Sequence, residues 1–174
     1  MTGGADRLPH FSAMPRPGRR NDWMDWQNPG RPGKLLVMQP DVDPNPRGRI
    51  LAVDDSPVMR VLVTASLEAL GYVVEAVDSG FAALEATKLE AFDAVVLDVE
   101  MPGMDGLALG RALRSDPKTC ASKIAMHTSV DEAVVRNGFD AYDIFVSKPC
   151  DARSLGESVD HMIQDHRRRT PKSL

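Results

Sequence analysis

The sequence ILAVDDSP at residues 50–57 indicates the type of fold, because four apolar residues lead directly into two acidic residues and a helix start. Four consecutive apolar residues are typical of a strand that is buried on both faces of a sheet. Ser56 and Pro57 are residue types preferred at the N-cap and at the first position of a helix. The stretch therefore predicts a strand, a turn that carries Asp54 and Asp55, and a helix.

The same alternation of strand-like and helix-like segments continues along the chain. Four more apolar, β-branched runs are predicted as strands: Tyr72–Val77, Ala94–Leu97, Lys123–His127 and Ile144–Val146. The residues predicted to share one face of the first helix are Val58, Val61, Leu62, Ala65 and Ala69, and those predicted to line the last helix are Leu155, Val159, Met162 and Ile163. Right-handed crossovers place helices on both faces of a parallel sheet. We therefore expect a three-layer α/β domain with one five-stranded parallel sheet.

Polar and charged side chains follow four of the five predicted strands. They are Asp54 and Asp55 after the first strand, Asp98 after the third, Thr128 and Ser129 after the fourth, and Lys148 after the fifth. Ligands of such sheets bind beyond the carboxyl ends of the strands, where these side chains converge. Taken singly, each has a simpler explanation as a helix-start residue, an acidic loop or a solvated lysine. Three carboxylates, a hydroxyl and an ammonium at one rim nevertheless favour a metal and phosphoryl site.

Composition limits the function classes. The chain has 174 residues, 43% of them apolar, and a net charge of −4, which predicts one domain of ordinary size. This balance gives no chain-wide electrostatic attraction to nucleic acid or to an anionic membrane. Cys120 and Cys150 form no C-x-x-C pair, and no apolar run approaches the roughly 20 residues that cross a bilayer. We therefore expect a cytoplasmic protein that binds neither DNA nor a membrane directly.

Residues 1–48 differ in composition from the rest of the chain. They hold eight of the thirteen prolines, both tryptophans and a net charge of +2, and they show no helical or strand period. We predict a mostly disordered extension. Alternatively, Trp23, Trp26 and the run Leu35–Met38 form a docking segment, or the start codon is misplaced and translation begins at a later methionine.

Four motifs together resemble the response-regulator receiver domain of two-component signalling. They are VDDSP at 53–57, DVEMPGMDG at 98–106, TS at 128–129 and KP at 148–149. The resemblance covers roughly residues 49–166 and implies a flavodoxin-like fold with strand order 2-1-3-4-5. Residues 167–174 are then a basic tail, too short for a DNA-binding output domain, so we expect a free-standing receiver.

The resemblance also implies how the residues at the rim divide the chemistry. Asp98 accepts the phosphoryl group. Asp55 binds Mg²⁺ directly, Asp54 binds it largely through water, and Glu100 offers its main-chain carbonyl to the metal. Mg²⁺ prefers hard oxygen ligands and keeps several waters, so these groups are sufficient for a site.

Three further residues are implied to respond to the phosphoryl group. Thr128 and Lys148 contact the phosphoryl oxygens, and Lys148 and Mg²⁺ neutralise their charge. Phe145 turns when the threonine is drawn toward the phosphoryl group. An acyl phosphate on Asp98 then shifts the equilibrium between two conformations of a surface that other proteins bind.

The implied phosphodonor is a histidine kinase or a histidine phosphotransfer protein, and the downstream protein target is unknown. The domain is expected to phosphorylate and slowly dephosphorylate itself as a signalling protein, not as a classical enzyme. A phosphorelay intermediate or a phosphate sink is the alternative within the family. A degenerate receiver that acts as a phosphorylation-independent binding module is a further alternative. Outside the family, we consider a haloacid-dehalogenase-like phosphatase, whose aspartyl nucleophile lies in a D-x-D motif after the first strand.

The segment 128–148 departs from the family pattern. It is slightly short and places Gly138 early, which predicts a fourth helix that is short, shifted or frayed. Ser129 replaces a small apolar residue and adds a potential phosphate contact. His127 is unusual in a central strand; we interpret it as a hydrogen-bonded core histidine that points away from Thr128, with a phosphoryl-carrier role as the alternative.

Overall fold

A computed structural model of the protein describes residues 46–169. Five strands and five helices alternate in the order β1 (Arg49–Val53), α1 (Pro57–Glu68), β2 (Val73–Val77), α2 (Gly80–Leu89), β3 (Ala94–Leu97), α3 (Gly106–Ser115), β4 (Lys123–Thr128), α4 (Glu132–Gly138), β5 (Ile144–Ser147) and α5 (Ala152–Arg169). Each predicted strand is confirmed to within one residue at either end. No helix in the described residues is long and apolar enough to cross a membrane. Trp23, Trp26 and Leu35–Met38 lie outside the described residues.

The strands form one parallel sheet in the order β2-β1-β3-β4-β5, which confirms the predicted strand order and the α/β class. Val53, the last residue of β1, lies opposite Leu97, the last residue of β3. Thr128, the last residue of β4, lies opposite Ser147 of β5. The residues that follow these strands therefore emerge along one edge of the sheet.

Helices cover both faces of the sheet, because alternate strand residues point to opposite faces. On one face, α2, α3 and α4 pack over residues such as Leu51 and Val95. On the other face, α1 and α5 pack over residues such as Ile50 and Val96. All four residues predicted to line α5 are buried. The absence of polar residues from β3 follows from this arrangement, since both of its faces lie in the core.

The face of α1 that the sequence pattern favoured is mostly exposed, and of its five residues only Leu62 packs partly against the core. Val58 and Val61 are 72% and 68% exposed, whereas Val63 and Leu67 pack into the core beside α5. Gly156 has no side chain, which lets α5 lie close to the main chain of α1 on this second stripe. Both stripes of the helix are apolar, so polarity alone could not distinguish them.

The fourth helix is short, as predicted, with seven residues. Its C-terminal end is held against α3, where Arg111 donates a hydrogen bond to the Gly138 carbonyl oxygen at 2.7 Å. Phe139 is buried beside Gly110 of α3, where a Cβ atom would lie 2.6 Å from the ring. The helix is therefore anchored at its C-terminal end, whereas its N-terminal end is the one nearer to Thr128 along the chain.

Candidate functional site

The candidate site lies where β1 and β3 end. Asp54 and Asp98 directly follow these neighbouring strands, and their main-chain N–H groups donate to Val77 O at 3.2 Å and to Val53 O at 2.9 Å. Both aspartates are buried, with 3% and 6% of their surface exposed. The sheet therefore places two carboxylates side by side where little water reaches them.

Lys148 bridges these two carboxylates. Its Nζ donates to Asp54 Oδ2 at 2.6 Å and to Asp98 Oδ2 at 2.9 Å. The main-chain N–H of Lys148 donates to Thr128 O at 2.9 Å, and the Lys148–Pro149 peptide bond is cis. Burial lowers the pKa of Lys148, but the hydrogen bonds to Asp54 and Asp98 outweigh burial, and the pKa lies above its ordinary value. The side chain is therefore a cation at neutral pH.

The second oxygen of each buried carboxylate accepts a main-chain hydrogen bond. Ser56 N donates to Asp54 Oδ1 at 2.9 Å, and Glu100 N donates to Asp98 Oδ1 at 3.3 Å. Ser56 is also the N-cap of α1, as the sequence predicts. Both carboxylates are thus fixed by the main chain and by Lys148, which preorganises the site.

The acidic residues fit a magnesium site. Asp54, Asp55 and Asp98 each offer one carboxylate oxygen, and these oxygens lie within 4.8 Å of one another. Mg²⁺ prefers such hard oxygens together with water, and Asp55 is exposed, so a hydrated ion can reach it. Glu100 is also exposed, and its side chain lies outside this group of three. The structure therefore brings together three of the four predicted metal residues through their side chains.

Thr128 and Phe145, the two residues predicted to move when the phosphoryl group is present, lie on neighbouring strands. Thr128 ends β4, is fully buried, and accepts a hydrogen bond at Oγ1 from Val130 N at 3.3 Å. Phe145 lies in β5, packed against the core with its ring 6.4 Å from that of Tyr142. Ser129, the potential phosphate contact, is exposed. The Thr128 hydroxyl is thus held by the turn that follows β4.

His127 is a buried, hydrogen-bonded histidine, as predicted. It is 1% exposed, and its Nε2 lies 3.3 Å from Cys150 Sγ. Burial lowers the pKa of His127 to about 4; the charge of Lys148 acts in the same direction, and those of Asp54 and Asp98 oppose it. Burial also raises the pKa of Cys150. The imidazole is therefore neutral at physiological pH, and it shares a hydrogen bond with the protonated thiol.

Two residues that border the site were not predicted from the sequence. Arg60, in the first turn of α1, donates to the main-chain oxygens of Asp54 and Asp55. Gly106, at the start of α3, lies so close to Asp98 that a Cβ atom would be 2.0 Å from its carbonyl oxygen. A cation near a helix N-terminus is unfavourable because the helix dipole is positive there. An arginine at this position was therefore the sequence signal that could have identified Arg60 as a residue with a special contact. The contact of Gly106 has no such signal, because it depends on the path of the main chain.

Comparisons with known proteins relate the chain to signalling proteins. Residues 50–160 match the family model described as the response regulator receiver domain. The chain is 38% identical over 120 residues to the sensor histidine kinase GacS of Pseudomonas protegens, an overlap of 64% of this chain and 13% of GacS. It is 31% identical over 120 residues to protein PilH of Pseudomonas aeruginosa, an overlap of 66% of this chain and 97% of PilH. The chain thus spans a small part of the sensor kinase and nearly all of PilH.

A solved structure shows the same fold. The response regulator TrrA of Thermotoga maritima, solved in complex with Mg²⁺-BeF, has a TM-score of 0.59 and 32% sequence identity to this chain. The match covers 66% of this chain and 97% of TrrA. The region matched by the family model contains the whole site described above, from Asp54 to Lys148.

The pKa of His127 predicts a loss of stability in mild acid. The unfolded chain takes up a proton on this histidine near its ordinary pKa of 6.5, whereas the folded protein does so only near 4. The free energy of unfolding should therefore fall as the pH drops through this window, with His127 contributing a loss of about 2 kcal/mol near pH 5. Urea denaturation of the wild type and of His127→Gln at about pH 7 and about pH 5 measures this contribution.

The exposed His161 provides the matched control, since His161→Gln should keep the wild-type pH dependence. The assignment is wrong if His127→Gln loses as much stability between the two pH values as the wild type does.

Proposed function

Because the chain belongs to the response regulator receiver domain family, we propose that it accepts a phosphoryl group on Asp98 and thereby changes a surface that other proteins bind. We assign this function to residues 49–166, with residues 1–48 as an extension; the predicted basic tail at residues 167–174 begins inside α5, which continues to Arg169. One observation carries the proposal. The Lys148 ammonium lies between two buried carboxylates, and one of them, Asp98, follows the central strand β3.

The position of Asp98 suits a nucleophile in phosphoryl transfer. Its Oδ2 lies 2.9 Å from the Lys148 ammonium, so a phosphoryl group that arrives there meets a cation that offsets the charge on its oxygens. In the transfer, a bond forms between an Asp98 carboxylate oxygen and phosphorus, and the N–P bond of the donor's phosphohistidine breaks. The released imidazole takes up a proton from solvent. The product is an acyl phosphate, which slowly hydrolyses.

We propose that Asp54, Asp55 and Asp98 hold Mg²⁺, the ion present with BeF in the TrrA structure. When bound, Mg²⁺ supplies positive charge to the phosphoryl oxygens. Asp55 would bind the ion directly, because its carboxylate is exposed, and Asp54 would act largely through water. The main-chain carbonyl of Glu100 completes the ligands.

The phosphodonor in this proposal is a histidine kinase or a histidine phosphotransfer protein in the cytoplasm. The similarity to GacS, a sensor histidine kinase, and to PilH supports this class of partner. The phosphorylated domain then acts on a downstream protein through the surface of α4, β5 and α5. The alternative fates of the phosphoryl group are onward transfer in a phosphorelay and loss by hydrolysis in a phosphate sink.

Two functions outside phosphoryl acceptance are less well supported by the site. A haloacid-dehalogenase-like phosphatase needs its nucleophile after the first strand, whereas Asp98 follows the third. A phosphorylation-independent binding module has no need for Lys148 to hold two carboxylates beside a third one. The grouping of charges therefore favours phosphoryl acceptance.

Incubation of the full chain with acetyl phosphate and Mg²⁺ should raise its intact mass by one phosphoryl group, which base treatment removes because acyl phosphates hydrolyse readily. Asp98→Asn should show no increase, since an amide is not a nucleophile for this transfer. The control Asp165→Asn, at an exposed position of α5, should gain the same mass as the wild type. An equal mass increase in Asp98→Asn would show that the acceptor is another residue.

We further propose that Thr128 and Phe145 transmit phosphorylation to α4. The phosphoryl oxygens on Asp98 accept a hydrogen bond from the Thr128 hydroxyl, which leaves the turn that holds it now and makes room for Phe145. The Phe145 ring lies beside Tyr142, whose hydroxyl donates to Glu132 Oε1 of α4 at 3.0 Å. A rotation of Phe145 therefore alters the support of α4.

Addition of beryllofluoride and Mg²⁺ to the wild type should shift backbone amide resonances in residues 131–150 as well as in the metal loops, which are the loops that carry Asp54, Asp55 and Asp98. In Thr128→Ala the shifts should stay in the loops, although Asp98 still accepts phosphate, because the ligand no longer distinguishes the two states. Ser115→Ala, which removes an exposed hydroxyl from the last residue of α3, should respond like the wild type. Wild-type shifts at residues 131–150 in Thr128→Ala would contradict the proposed switch.

A further inference from the structure

Arg60 holds the main chain that carries two of the three acidic residues. It lies in the first turn of α1, half-buried, and a single nitrogen, Nη1, donates to Asp54 O at 2.8 Å and to Asp55 O at 2.9 Å. These are consecutive carbonyl groups at the turn between β1 and α1. One guanidinium nitrogen therefore fixes the orientation of both peptide groups at once.

The position of Arg60 is electrostatically unfavourable without these acceptors. The N-terminus of a helix carries a partial positive charge, so a cation in the first turn is destabilising there. The first turn of α1 contains no acidic residue that would offset it. The two carbonyl oxygens at the turn supply the negative ends of dipoles that compensate the guanidinium charge. Hydrogen bonds thus join an unfavourably placed cation to the main chain of the loop that carries Asp54 and Asp55.

We propose that Arg60 is a positioning residue for Mg²⁺, acting through the main chain of Asp54 and Asp55; this inference rests on the proposed function. The carboxylate of Asp54 is already fixed by Ser56 N and Lys148 Nζ. Asp55 is exposed, and the direction of its side chain depends on the peptide groups that Arg60 holds. Loss of Arg60 releases these peptide groups, and binding of the ion must then also order them, which lowers its affinity.

The charge of Arg60 and its hydrogen bonds to the main chain predict opposite changes in Mg²⁺ affinity when Arg60 is replaced. A cation near the site repels a divalent ion, so removing the charge alone would strengthen Mg²⁺ binding. Releasing the Asp54 and Asp55 main chain would weaken it, since outer groups that orient metal ligands commonly contribute substantially to metal affinity. The sign of the change in Mg²⁺ affinity therefore distinguishes a positioning role from a simple charge effect.

Calorimetric titration of the full chain with MgCl₂ tests the inference. Arg60→Met should weaken Mg²⁺ binding at least about fivefold, and Arg60→Lys, which keeps the charge but loses the planar guanidinium, should weaken it at least about twofold. Arg168→Met serves as the control, because it removes the same charge from the far end of α5, where the side chain is 81% exposed, and should leave the affinity unchanged.

A second readout separates positioning from a general loss of stability. At Mg²⁺ concentrations that saturate each protein, the rate of phosphorylation by acetyl phosphate should match the wild type within about twofold, because Arg60 does not contact the reacting atoms in this proposal. A variant that was only destabilised would unfold at lower urea in EDTA and would already be partly unfolded before Mg²⁺ is added. A variant that is folded in EDTA, binds Mg²⁺ more weakly and recovers the rate at saturation therefore supports positioning, and a rate that stays low contradicts it.

The two proposals fail in different ways. If the wild type binds Mg²⁺ and both Arg60 variants bind it equally or more tightly, the positioning role is wrong and the proposed function stands. If Arg60→Met does not fold, the twofold weakening expected for Arg60→Lys decides the question alone. If the wild type itself binds no Mg²⁺, the metal component of the proposed function and this inference are both wrong.

Discussion

The Lys148 ammonium between Asp54 and Asp98 is the interaction on which the rest of the site depends. Two like charges with side chains only 4% and 7% exposed repel each other strongly where little water screens them. A single cation at 2.6 and 2.9 Å compensates both. The contact also joins the ends of β1 and β3 to the loop after β5, so three separate parts of the chain meet at one charge.

In the proposed function, this arrangement couples chemistry to shape. A phosphoryl group on Asp98 adds negative charge beside the same ammonium, which must then divide its hydrogen bonds differently. The main-chain N–H of Lys148 is bonded to Thr128 O at the end of β4, so a shift of Lys148 and a shift of Thr128 are mechanically linked. The adjacent helix α4 is short and anchored to α3 mainly at its C-terminal end. Its other end, nearest to Thr128, is the part that can respond.

The strands and the acidic rim were predictable because each depends on local composition. β3 is apolar throughout since both of its faces are buried, and Asp98 marks where it ends. Composition alone does not determine the strand order, which was predicted from the family resemblance. The buried face of α1 was missed because a second apolar stripe, with Val58 and Val61, competes with it. Arg60 and Gly106 were missed because their contacts are with main-chain atoms, whose positions depend on the folded path of the chain.

The free energy of unfolding of Lys148→Met, measured near neutral pH in EDTA and again with Mg²⁺, tests whether the Lys148 ammonium holds the two buried carboxylates together. Removing the ammonium leaves two buried carboxylates facing each other, and breaking such a buried pair costs about 3 kcal/mol or more. We expect that loss in EDTA and a larger stabilisation by Mg²⁺ in the variant than in the wild type, since the metal then offsets both charges. Equal stability of the variant and the wild type in EDTA would contradict it.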